Sequence, residues 1–313
     1  MTSRFAGVLA PAITPFDKDL SVAPERFARH CRWLLAHGCS GLAVFGTNSE
    51  ANSLTAEERM SLLEALVESG IPAGVLMPGT GCCSVMDSVR LTAHAVRLGC
   101  GGVLMLPPFY YKGVSTEGLY RNFAEIIERI GDSRLRLYLY HIPPVAQVPV
   151  PLDLIERLLQ RYPGTVAGVK DSSGDWSHTK SMLDRFGGSG FEIFAGSEVF
   201  LLANMRHGGM GCISATANVN PGRIRLLFDH WRDADADALQ EELAATRAVI
   251  QKYPMIAALK SVVSHYSGEA EWTTVRPPLV ELTAGERRSL AEALDARGFA
   301  MPGLAASLPE LSR

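Results

Sequence analysis

Short apolar runs alternate along this chain with segments whose apolar residues recur every three to four positions. The runs Gly7–Ile13, Gly41–Phe45, Ala73–Met77, Gly102–Leu106, Leu135–Ile142, Val166–Lys170, Glu192–Ala195 and Gly211–Ser214 predict strands. Most are continuously apolar, the pattern of parallel strands covered on both faces. Between them Ala23–His37, Ala56–Glu68, Val85–Leu98, Thr116–Ile130 and Leu152–Arg161 carry helical periodicity. Thr55 and Glu58 have the spacing of a capping box, and Thr116 with Leu119 gives a weaker start signal. Eight strand–helix units in about 230 residues match a (β/α)8 barrel. A doubly wound open sheet competes, but no GxGxxG follows the first strand. After Asp229 the strand signals stop, and Ala234–Gln251, Pro254–Ser267 and Ala284–Arg297 predict three helices, with Pro277-Pro278 breaking the chain before the last. The expected architecture is an α/β TIM barrel over residues 1–228 with a C-terminal three-helix extension over 229–313 that supports the barrel and meets other subunits.

Composition narrows the class. Hydrophobic content of 47% and charged content of 20% over 313 residues are those of an ordinary globular protein. A net charge of -3 offers no basic footprint for nucleic acid and no polybasic patch for membranes. No apolar run approaches the roughly 18 residues of a membrane span. Arg4 followed by Phe5–Ile13 faintly resembles a signal peptide, but Pro11 and the lack of a cleavage pattern favour a first buried strand. Cys31, Cys39, Cys82, Cys83, Cys100 and Cys212 form no CxxC pair and no zinc spacing, as expected of free thiols in a reducing cytoplasm.

In a barrel the chemistry gathers at the C-terminal ends of the strands. The chain has six lysines, and Lys170 alone closes an apolar strand, Val166-Ala167-Gly168-Val169-Lys170; the other five read as surface helix or loop. Burial favours a lysine's neutral amine, the form that attacks carbonyls. The alternative is a lysine reaching out to solvent or pairing with Asp171. Gly46-Thr47-Asn48-Ser49-Glu50 after the second strand reads either as an anion-binding nest or as a plain polar loop capping the next helix. Tyr138 and Tyr140 share one face of the fifth strand, while His141 points the other way. A phenol beside an amine can shuttle protons, because its hydroxyl both donates and accepts. Pro107-Pro108-Phe109-Tyr110-Tyr111 suggests a rigid loop able to deliver a hydroxyl to a neighbouring subunit, and Gly196 lets a ligand approach the backbone. Of the histidines only His141 lies at a strand end, which disfavours a metal-dependent aldolase. No cofactor is expected. One lysine, a hydroxyl relay and a carboxylate nest describe a Schiff-base site.

Taken together, Gly46-Thr47-Asn48-Ser49-Glu50, Tyr110-Tyr111 with Glu117-Gly118-Leu119-Tyr120, Tyr140-His141-Ile142-Pro143, Gly168-Val169-Lys170-Asp171-Ser172 and Gly209-Met210-Gly211-Cys212-Ile213-Ser214 resemble the dihydrodipicolinate synthase / N-acetylneuraminate lyase superfamily, over essentially the whole chain. The resemblance implies a barrel assembled as a homotetramer, a dimer of tight dimers. It implies that Lys170 forms a Schiff base with pyruvate or another 2-keto acid and that Tyr140 is the acid/base. Thr47 would relay protons between Tyr140 and a neighbouring subunit's Tyr111. Thr47 and Asn48 would bind the keto acid's carboxylate, and Ile213 would pack over it.

The lysine-biosynthetic synthases differ from this chain at two points. Where they carry a second threonine and a glycine, this chain has Asn48 and Ser49. Their arginine for the aldehyde's carboxylate falls here on Val145. Valine cannot imitate a bidentate guanidinium, and losing such a contact removes roughly 2–5 kcal/mol of recognition. Aspartate semialdehyde is therefore not the expected second substrate. The expectation is a class I lyase or aldolase joining or parting a 2-keto acid and an aldehyde. A 2-keto-3-deoxy sugar acid aldolase or dehydratase, a hydratase-aldolase on aromatic keto acids, and a silent keto-acid-binding barrel remain open.

Overall fold

The computed structural model describes residues 5–305; Arg4 and the last residues of the tail lie outside them. Strands and helices alternate: β1 (Gly7–Ala10), α1 (Pro24–Ala36), β2 (Gly41–Leu42), α2 (Ala56–Glu68), α3 (Val85–Arg97), β3 (Val103–Met105), α4 (Thr116–Ile130), β4 (Leu137–His141), the short α5 (Pro143–Ala146), α6 (Leu152–Arg161), β5 (Val166–Asp171), α7 (Trp176–Phe186), β6 (Glu192–Ala195), α8 (Leu201–Arg206), β7 (Gly211–Ile213) and α9 (Pro221–Asp229). All strands pair in parallel, in the order β2-β1-β7-β6-β5-β4-β3.

Between β2 and β3 the predicted strand Ala73–Met77 needs correction. Ala73–Val75 forms a 3-10 turn, and the chain joins the sheet only from Leu76. Met77 N donates to Leu42 O at 2.8 Å, Gly79 N to Val44 O at 2.7 Å and Leu104 N to Pro78 O at 2.9 Å. This eighth stave closes the barrel. Pro78 has no N–H to continue a regular ladder. Gly79 is required there, because a Cβ would fall 2.1 Å from Phe45 O.

Local signals place the helices. The Thr55–Glu58 capping box forms, and a second one, Thr283 with Glu286, starts the last long helix. Ser115 caps α4, one residue before the threonine read from the sequence. The remaining helices are α10 (Ala236–Ile250), α11 (Met255–Ser267) and α12 (Ala284–Asp295). No helix among the described residues is long and apolar enough to cross a membrane.

Two apolar clusters follow from strand parity. Outward residues pack under the helices, while Phe5, Leu9, Met77, Tyr138, Tyr140, Phe194 and Ile213 fill the lumen. Tyr138 plugs the floor, where its hydroxyl donates to buried Glu192 at 2.5 Å and Arg136 pairs with the same carboxylate at 3.1 Å. Gly102 and Gly168 make room for this ring, since a Cβ on either would lie within 2.6 or 2.8 Å of it.

Candidate active site

The register of β4 against β5 sets Tyr140 opposite Lys170 at the upper rim of the lumen. Lys170 is only 3% exposed. Its Nζ donates to Tyr140 Oη at 3.1 Å and lies 4.2 Å from the ring centroid. Thr47 Oγ1, delivered by the loop after β2, stands 3.4 Å from the same hydroxyl. Burial pushes the Tyr140 phenol up, but the Lys170 charge and hydrogen bonds from Thr47, Lys170 and Ser172 outweigh it, so the phenol is held below its ordinary range.

These groups open onto a cavity of about 680 Å³ whose walls include Thr47, Asn48, Gly196 and Val145. Gly196 brings the ends of β5 and β6 together: its N–H donates to Asp171 O at 2.7 Å, and a Cβ there would meet Ser172 Oγ at 2.1 Å. Ile213 is fully buried in the lumen with Tyr140 and Phe194. Tyr111 is not brought to Lys170 within its own chain. It is 71% exposed and packs edge-on against Tyr110, outside the residues that line the cavity.

His141 faces out of the lumen, as its parity predicts. Its Nδ1 accepts from Val150 N at 2.9 Å, and its ring stacks on His178 at 4.4 Å. His178 Nδ1 meets Asp171 Oδ2 at 3.1 Å, and Asp171 also accepts from Ser173 N and Thr179 Oγ1. His141, Asp171 and His178 bring potential ligand atoms within 4.8 Å of one another. Most of those valences are spent on protein partners, so the cluster reads as a clamp on the residue that follows Lys170. Burial drives the His141 pKa down to about 4, and the bond to Asp171 raises that of His178.

A model of the dihydrodipicolinate synthetase family matches residues 4–297. This chain belongs to that family. An uncharacterized DapA-like lyase of Chloroflexus aurantiacus is 31% identical over 92% of this chain and 96% of its own length. The 4-hydroxy-tetrahydrodipicolinate synthase of Desulforamulus reducens is 32% identical over 91% and 95%. Among solved structures, dihydrodipicolinate synthase from Agrobacterium tumefaciens superposes with a TM-score of 0.86 at 34% identity, covering 93% of this chain and 98% of that one. YagE from E. coli K12, a prophage protein of the dihydrodipicolinic acid synthase family solved with pyruvate, gives 0.87 at 25%, covering 95% and 100%. The (β/α)8 architecture read from the sequence is thus the fold of the family, and membership makes this chain a lyase.

Two features of this family member escaped the sequence reading. Lys260 was expected on a surface helix but is fully buried. It pairs with Glu50, donates to Thr274 O at 2.7 Å and lies 4.4 Å from the Phe16 ring centroid. Glu50 also accepts from Arg276 N at 3.0 Å, so the Gly46–Glu50 loop is tied to α11 and to the segment after it. Burial, opposed by Glu50, draws the Lys260 pKa down to about 8. The signal was available: Ala257-Ala258-Leu259-Lys260 is an apolar run closed by a lysine, the same pattern that singled out Lys170. The second feature is Arg247 of α10, whose Nη1 donates to Glu198 Oε2 at 2.8 Å and to Ser214 Oγ at 3.2 Å. Arg247, Met255, Leu279 and Val280 line the cavity, so the C-terminal helices and their links supply one of its walls.

Proposed function

We propose that this lyase joins or parts a 2-keto acid, pyruvate in the simplest case, and an aldehyde through a Schiff base on Lys170. The observation that carries the reading is the buried amine 3.1 Å from a phenol whose proton is loosened. The Lys170 amine attacks the keto carbon, and loss of water forms the imine. Loss of a proton from the adjacent carbon gives the enamine. That carbon then bonds to the aldehyde carbon, whose oxygen takes up a proton, and water releases the product from Lys170; cleavage runs the same steps in reverse. Tyr140 moves the protons, and its 3.4 Å contact with Thr47 is the first link of a relay. The relay ends at Tyr111 of a neighbouring subunit, whose exposure leaves its hydroxyl free to cross an interface within a tetramer. Thr47 and Asn48 hold the keto acid's carboxylate, Ile213 packs against its carbon chain, and Gly196 leaves the space beside it. The same reading takes residues 1–228 as the catalytic barrel, 229–313 as a helical unit and the cytoplasm as the place of work.

Borohydride reduction in the presence of pyruvate, followed by mass spectrometry, tests the amine. A stable adduct on Lys170 is expected, absent in Lys170→Ala. Tyr140→Phe should still form it while losing about 10²–10⁴-fold in turnover. No adduct on Lys170 with any 2-keto acid would end the Schiff-base reading.

A further inference from the structure

Nine large apolar side chains are exposed among the described residues, and three of them, Val145, Leu279 and Val280, stand around the Lys170 cavity. They reach it from two directions, Val145 from the α5 turn after β4 and the other two from the link between α11 and α12. Met255, at the start of α11, continues the same wall. Val280 is 78% exposed and Val145 61%, apolar surface that water penalises unless something covers it. The polar lining, Thr47, Asn48, Ser172 and Ser197, sits instead on the loops at the strand ends around the amine.

Charge gives the same picture. Lys170 and Arg247 are the charged residues that line the cavity. Lys170 is consumed in forming the imine. Arg247 is already compensated, because Glu198 accepts from it at 2.8 Å and is itself 1% exposed. A carboxylate on the second substrate would therefore lose its hydration without gaining an unpaired cation. A chain of hydroxyls laid along Val145, Leu279 and Val280 would find no donor or acceptor in those side chains and would leave their apolar surface uncovered by anything apolar.

We propose that the aldehyde half of the substrate is uncharged and carries an apolar body, branched or aromatic, seated on Val145, Met255, Leu279 and Val280. This rests on the Schiff-base reading of Lys170. The occupant is a small molecule rather than a second chain, because the patch is the wall of the cavity that ends at the reacting amine.

The test compares condensation of pyruvate with benzaldehyde, succinic semialdehyde and glyceraldehyde, alongside binding of their unreactive counterparts benzyl alcohol, 4-hydroxybutyrate and glycerol followed by NMR. Benzaldehyde should lead in kcat/KM by about tenfold or more, and benzyl alcohol should bind best, as expected for apolar contacts in a fitted pocket. Val280→Asp should collapse the benzaldehyde to succinic semialdehyde ratio, whereas a folding defect would lower both rates together. Equal or better use of the charged or hydroxylated aldehyde would overturn the proposal. So would a Val280→Asp protein whose ratio is intact but whose oligomeric mass has changed, since the patch would then be a subunit contact. If pyruvate leaves no adduct on Lys170 while benzyl alcohol still binds selectively, the Schiff-base reading falls and the apolar site stands.

Discussion

Replacing Lys260 by methionine probes how the Gly46–Glu50 loop is held. Lys260 and Glu50 are both fully buried at their side chains and pair directly. Methionine keeps the length and can pack against Phe16, but it takes the ammonium away from the Glu50 carboxylate and leaves it the Arg276 N–H at 3.0 Å. Breaking a buried pair from one side costs about 3–5 kcal/mol, because the remaining charge stays desolvated. The double variant Lys260→Met/Glu50→Gln removes both charges and should regain most of that loss. Urea unfolding read by tryptophan fluorescence reports the stability, and KM for pyruvate reports the loop, which should rise in the single variant. A single variant within about 1 kcal/mol of wild type would refute the argument, that being the range of exposed pairs. The pH dependence follows by linkage. The Lys260 pKa is lowered from 10.5 to about 8 in the folded protein, so between those values the unfolded chain binds more protons. This group's penalty is complete below pH 8 and is relieved as pH rises toward 10.5. The advantage of wild type over Lys260→Met should therefore grow across that window.

Tyr111→Phe should change stability by less than about 0.5 kcal/mol, as at other exposed positions, yet lower turnover in the assembled enzyme; unchanged turnover would mean that Tyr111 only packs. Gly196→Ala puts a Cβ 2.1 Å from Ser172 Oγ and 2.6 Å from Asp171 O. Such overpacking costs about 1–3 kcal/mol. A lowered melting temperature and a weakened pyruvate affinity are expected, and a variant normal in both would show that β5 and β6 can part without consequence.

Lys170 and Tyr140 were legible because both signals are local: a polar residue at the end of an apolar run, and the parity of β4, which sends Tyr138 and Tyr140 into the lumen while His141 faces out. The third stave was misplaced because Pro78 and Gly79 interrupt the run that actually pairs, while the better-looking Ala73–Val75 turns. Lys260 and Glu50 stand 210 positions apart, and Arg247 and Glu198 stand 49 apart. Each pair forms only when the C-terminal helices fold back over the barrel's upper rim, which no local pattern reports. For the same reason Glu50 read as the end of a polar loop, although it is the buried anchor of that loop.

The Tyr138 plug has a kinetic consequence. With its hydroxyl bound to Glu192 and its ring between Phe5 and Phe194, at centroid distances of 5.8 and 6.2 Å, Tyr138 closes the floor among the described residues. The large cavity at the strand ends is the wide approach to Lys170 among the described residues. In the proposed reaction a keto acid bound at the bottom leaves room for an aldehyde above it, whereas an aldehyde seated first would stand in the keto acid's way. For the proposed reaction this geometry favours keto acid first in synthesis and release of the aldehyde before the keto acid in cleavage. A ring at the closed end of the barrel thus bears on the proposed order of binding without touching the atoms that react.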